Sequence, residues 1–163
     1  MTRDDLSRTK LCEGQLPSRI VLAVVKSRAF NGNLQLNPFN FIHSNIRSIV
    51  LRVNGRPIPF EDIDLDFAND RFLQAYLLLF QGTDSLYTDK SCGITPEDYK
   101  NGHTIFAFDL NPAADAGEMT LIKDGTVGVE IKLSQDTTES TTLVVYKEYQ
   151  DMIEINENKQ LLQ

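Results

Sequence analysis

The chain has 163 residues, 41% of them hydrophobic and 24% charged, which is the balance of a globular domain with a real core. Its formal net charge is −7 and its pI about 4.8, which argues against a nucleic-acid-binding surface, since phosphate contacts need clustered Lys and Arg, and leaves room for a small basic patch on one face. No run of 18 apolar residues occurs, so no membrane-spanning helix is expected, and the charged start (Met1-Thr2-Arg3-Asp4-Asp5) lacks the apolar stretch of a classical secretory signal.

Residues 1–18 read as a polar lead-in ending at Pro17. Arg19–Lys26 is a short β-branched run, the pattern of a strand buried on both faces. Residues 29–41 follow, with three aromatics, four asparagines, a glycine and a proline. Asn31-Gly32 favours positive φ and a tight turn, and Asn37 before Pro38 favours extension. Phe39 and Phe41 are two apart, so a strand would point both to one face. Phe30, Asn31, Gly32, Asn37, Pro38, Phe39 and Phe41 are therefore read as a framework motif that fixes one loop shape and buries its aromatics. Sugar stacking is the functional alternative for Phe30, Phe39 and Phe41.

Ile46–Val53 reads as a second strand, Asn54-Gly55 as a hairpin turn, and Arg56–Phe60 as a return strand kept at a sheet edge by Pro57 and Pro59. The acidic stretch Glu61–Asp70 brings Asp62, Asp64 and Asp66 close together as candidate cation ligands. Calcium loops of the EF-hand type need a central glycine and a terminal Glu, and neither is present. Ile63, Leu65 and Phe67 alternate with the acids, which fits an extended segment with one wet face. A helix is expected from a cap at Asn69 or Asp70, with Phe72, Ala75, Tyr76, Leu79 and Phe80 as its buried stripe and Gly82 just past its end.

After a polar loop at 83–94, Thr95-Pro96-Glu97-Asp98 carries a capping box and Asn101-Gly102 a break. His103–Leu110 alternates into a strand that Asn111-Pro112 stops. Met119–Lys123 reads as a short strand, Asp124-Gly125 as a turn, Thr126–Leu133 as an alternating strand and Leu143–Tyr149 as the last long one. Met152–Ile155 makes an eighth, and residues 156–163 a flexible tail.

Eight strands with no βαβ alternation predict an all-β fold: an antiparallel eight-stranded jelly-roll sandwich at 19–155 with one helix-bearing insertion at about 61–102. No nucleophile elbow, phosphate loop or metal spacing is present. His43 and His103 read as structural, and Cys12 and Cys92, 80 residues apart, as two free thiols. No catalytic residue and no cofactor is expected.

One ordered set of segments adds to this reading. It comprises Gly14–Leu22, Ala29–Gly32, Asn37–His43, Phe72–Phe80 with Gly82, Gly93–Tyr99, Phe106–Leu110 and Val144–Tyr146. The set resembles the C-terminal jelly roll of the hexon-like double jelly-roll major capsid protein of Polinton/Maverick elements and adintoviruses, including endogenous invertebrate copies. The resemblance implies a non-enzymatic structural protein that self-associates as a trimer with other capsid proteins, in a virion or in the cytoplasm or nucleus of the host cell. From charge and apolar run length, no direct nucleic-acid binding and no membrane partner are expected. Members of that family carry two jelly rolls in tandem, whereas 163 residues hold one. A truncated or domesticated copy lacking the first jelly roll is the expectation. A ligand-binding jelly-roll module for carbohydrate or Ca2+ is the alternative.

Overall fold

A computed structural model describes residues 5–59, 63–86, 88–89, 92–111, 122–135, 139–151, 154–155 and 161–162, with backbone only at 5–9, 154–155 and 161–162. Its strands are β1 (Asp5–Gln15), β2 (Arg19–Lys26), β3 (Ile46–Val53), β4 (Arg56–Ile58), β5 (Ile105–Asp109), β6 (Asp124–Leu133) and β7 (Thr141–Glu148). Two-residue strands β8 (Glu154–Ile155) and β9 (Leu161–Leu162) pair with each other. The helices are α1 (Ser27–Phe30), α2 (Leu73–Gly82) and α3 (Pro96–Lys100). The protein is mostly β, and among the described residues seven strands form two antiparallel sheets, compatible with an all-β sandwich.

One sheet has the order β1-β6-β3-β4 and the other β5-β2-β7. The pairings β3–β4, β2–β5 and β1–β6 are nested in sequence, and β3–β6 and β2–β7 link the nested pairs. Ile20, Leu22, Phe106 and Phe108 from one sheet join Ile49, Leu51, Val127, Val129 and Ile131 from the other in a single core, all nearly inaccessible to water. Both α2 and α3 fall between β4 and β5, where the acidic stretch and the capping box lie.

Several local expectations are met for the reasons given. Asn54 and Gly55 both have positive φ, 51° and 81°, the backbone twist a two-residue hairpin needs. Among the described residues β4 pairs with β3 alone and so forms an edge, as Pro57 requires. The Thr95 hydroxyl accepts from the Asp98 N–H at 3.1 Å while the Asp98 carboxylate accepts from the Thr95 N–H at 3.3 Å, a complete capping box. Cys12 and Cys92 are both free.

Other readings are corrected. Residues 1–18 are not only a lead-in, because Asp5–Gln15 forms β1 along β6. An edge strand with one wet face needs few apolar residues, so its polarity disguises it. Asp124-Gly125 is not a turn; both residues pair with β1 as the start of β6. Lys123 lies outside any strand, and Met119–Leu121 lie outside the described residues, as do Phe60, Pro112 and Met152-Ile153. Among the described residues seven strands build the two sheets.

The helix starts later than its caps suggest. Asp66 caps a short 3-10 turn at Phe67–Asn69, Asp70 turns left-handed at φ 56°, and α2 begins after Phe72. Asp66 and Arg71 form an antiparallel bridge that closes this turn. Gly82 is the last helical residue rather than the one beyond it. A Cβ there would lie 2.6 Å from the carbonyl carbon and oxygen of Ala107, so glycine lets α2 seat directly on β5.

Candidate interaction site

The motif at 29–41 forms a loop built from polar hydrogen bonds. α1 ends at Asn31, and Gly32 takes φ 91°. The Asn33 side chain accepts from the Gln35 N–H and the Asn37 side chain from the Phe39 N–H, both at 2.9 Å. These are Asx turns, in which an asparagine imitates the next peptide. The loop returns to the fold where the Phe41 N–H donates to Gly102 O at 2.8 Å and the Thr104 N–H to Phe41 O at 3.1 Å.

The asparagines thus do what the aromatics were expected to do. Phe39 does not sit in a strand, and it is 71% exposed. Phe30 is 56% exposed, Leu34 fully exposed, and Phe41 half-buried. The reading of Phe30 and Phe39 as buried framework is therefore corrected. Pro38 and Asn40 are exposed as well.

A second apolar surface lies on α2. This helix, Leu73–Gly82, has no charged residue. Phe72, Ala75 and Leu79 face the core, but Leu73 and Leu77, one turn apart, are exposed. Tyr76 and Phe80 are half-buried. Gln74 and Gln81 are exposed as well, so the outer side of the helix mixes leucine with glutamine.

Behind these surfaces runs a column of rings that the sequence stripe only partly revealed. His43 stacks on Phe67 at 4.5 Å, Phe67 on Phe72 at 5.5 Å, and Phe72 on Tyr99 at 6.0 Å. Tyr76 meets both Tyr99 and Phe80 edge-on. The Tyr99 hydroxyl donates to Ile105 O at 3.1 Å and the Tyr76 hydroxyl to Ile94 O at 2.8 Å. Burial pushes the phenol pKa of both upward. His43 Nδ1 accepts from the Asn45 N–H at 3.1 Å, and burial, then the nearby Lys100 charge, holds its pKa below 6.5. A histidine clamped in this way is a packing element. His103, at the surface, bridges to Phe41.

The acidic stretch is engaged by the protein itself. Asp62 lies outside the described residues. Asp64 pairs with Arg47 at 3.4 Å. Asp66 accepts from the Asn69 amide at 2.7 Å and from Arg71 at 3.1 Å, and these donors lower its pKa. Asp70 pairs with Lys100. Ile63, Leu65 and Phe67 are buried between them, so the segment has one dry and one wet face. Among the described residues no group of three His, Cys, Asp or Glu is placed to hold a metal.

A cleft of about 470 Å³ lies between the end of α2 and the edges of β4 and β5, lined by Ile58, Leu78, Gly82, Ala107 and Phe108, with Asp84 and Asp109 at its rim. Asp84 is paired with Arg19, and Asp109 accepts from the Asn111 N–H at 2.8 Å.

No family model matches the chain, and no solved structure matches it. A search of curated proteins finds similarity to "Uncharacterized protein F54H12.2" of Caenorhabditis elegans, 28% identical over 158 residues. The match covers 94% of this chain but 38% of the nematode protein. The chain thus spans well under half the length of that relative.

Proposed function

We propose that this chain is a capsid-type jelly roll that works by protein–protein assembly and catalyses nothing. The observation that carries the reading is the wiring of the sheets. Nested pairings β3–β4, β2–β5 and β1–β6, cross-linked by β3–β6 and β2–β7, are what a long hairpin produces when it rolls up into two sheets. An eight-stranded jelly roll has this order with one further strand beside β7.

Two apolar surfaces support assembly over ligand binding. Phe30, Leu34 and Phe39 project from a loop whose shape does not depend on them, and Leu73 and Leu77 line the outside of α2. Contiguous exposed apolar patches mark contact surfaces, and phenylalanine is enriched in them. Among the described residues the acids are engaged by the protein itself, and no calcium site supports the alternative. On this reading three copies associate, with other capsid proteins as further partners. The virion, or the cytoplasm or nucleus of a host cell, is the place for such a protein. The order of segments resembling the Polinton/Maverick and adintovirus capsid protein supports the same reading, with the chain corresponding to the second of its two jelly rolls.

Light scattering on the purified protein tests the proposal. The expected species has three times the 18.4 kDa monomer mass, or a larger closed assembly. A strict monomer at high concentration overturns it.

A further inference from the structure

The two sheets have four outer edges, and they are protected unequally. β1 carries two register shifts and a Lys10–Glu13 ion pair. β4 is three residues long and contains Pro57. α2 packs along β5, with Gly82 against Ala107. These are the bulges, charges, prolines and covering helices by which proteins prevent strand addition.

Among the described residues β7 has no bulge, proline or covering helix, and its charges, Lys147 and Glu148, lie at its far end. It runs eight residues in unbroken register with β2, and Thr141-Thr142-Leu143-Val144-Val145-Tyr146 contains no charge, proline or glycine. Among the described residues no strand pairs with its other side. The core is correspondingly thin at this edge. Leu143 and Val145 lie opposite Val24 and Leu22 on the inner face, and they are only half-buried where Leu22 is fully buried.

We propose that the free edge of β7 is closed by an eighth, antiparallel strand contributed by polypeptide joined to the N-terminal end of β1. The topology selects this occupant. β6 ends at Leu133 and β7 begins at Thr141, so the two meet at one end of the sheets. Asp5 pairs with Lys132, which places the start of β1 at that same end. A strand antiparallel to β7 finishes beside Thr141, where it leads directly into β1. The match covers 38% of the nematode relative, so that protein has residues beyond the matched region. The strand would be about eight residues long and alternate apolar with polar side chains, its apolar face covering Leu143 and Val145.

The inference stands on the open edge and does not depend on capsid assembly. Its test is amide hydrogen exchange on two proteins: residues 1–163, and a longer form that includes the residues encoded in frame upstream. In the 163-residue protein, amides of β7 not bonded to β2 should exchange freely. In the longer form they should gain at least ~10-fold protection, with a higher melting temperature. Three results overturn the proposal: a transcript whose reading frame opens at Met1, a longer form with β7 still unprotected, or β7 already protected in the 163-residue monomer. Protection that appears only as protein concentration rises assigns the edge to a second copy, and also overturns it. Oligomer mass, measured separately, reports on the assembly reading alone.

Discussion

Replacing Gly82 by Ala is a sharp probe of how α2 sits on β5. Helix propensity alone favours the change, by up to about 1 kcal/mol. The structure opposes it, because the new methyl would fall 2.6 Å from Ala107 carbonyl C and O and from its Cβ, where 3.4–4 Å is ordinary contact. Two of these atoms belong to the backbone of a paired strand and cannot swing aside. The helix must retreat by roughly 1 Å, and Ala75 and Leu79, buried on the same helix, lose contact as it does. Overpacking of this kind costs about 1–3 kcal/mol. For a domain of this size that lowers the melting temperature by roughly 2–10 °C. Urea unfolding followed by circular dichroism gives the free-energy change directly. A Gly82→Ala protein more stable than the parent would mean that α2 does not approach β5 this closely.

Three further outcomes are expected. Phe30→Ala, Leu34→Ala and Phe39→Ala should each change unfolding free energy by no more than about 0.5 kcal/mol, because these side chains are exposed; a loss of 3 kcal/mol in urea titration would place them in the core after all. Thr95→Ala removes the hydroxyl half of the capping box and should cost about 0.5–2 kcal/mol in thermal unfolding, with Thr95→Ser restoring most of it. His43 has a folded-state pKa below its unfolded value of 6.5, so the unfolded chain binds more protons in the window between the two. Its contribution to stability is present above 6.5 and declines as pH falls through that window. Urea midpoints at pH 7.5 and 5.5 should differ less in His43→Phe, which keeps the stack on Phe67, than in the parent. Equal slopes would remove His43 from the account.

How much was legible in the sequence depended on how local each cause was. β2, β3 and β6 could be read from short-range apolar patterns, and the 54–55 turn and Thr95 cap from chemistry within four residues. β1 was hidden because an edge strand satisfies its inward face with little apolar content. The ring column joins His43, Phe67, Phe72 and Tyr99, which are near one another only once the chain has folded, and no spacing announces them. The loop at 29–41 was read in the wrong sense for a physical reason. Aromatic residues are taken to fold inward, yet here the Asn33 and Asn37 side chains fix the backbone and leave Phe30 and Phe39 outside. Gly82 was recognised as a helix-end glycine, but its function is close approach to β5, which depends on a strand 25 residues away.

Assembly through the exposed loop is the claim on which the functional reading rests. Sedimentation velocity over a wide concentration range, on the parent and on a triple Phe30→Ala, Leu34→Ala, Phe39→Ala protein, tests it most directly. The parent should form a discrete oligomer, and the triple variant should remain monomeric with an unchanged melting curve. A parent that stays monomeric at every concentration, or a triple variant that assembles as well as the parent, would contradict the account.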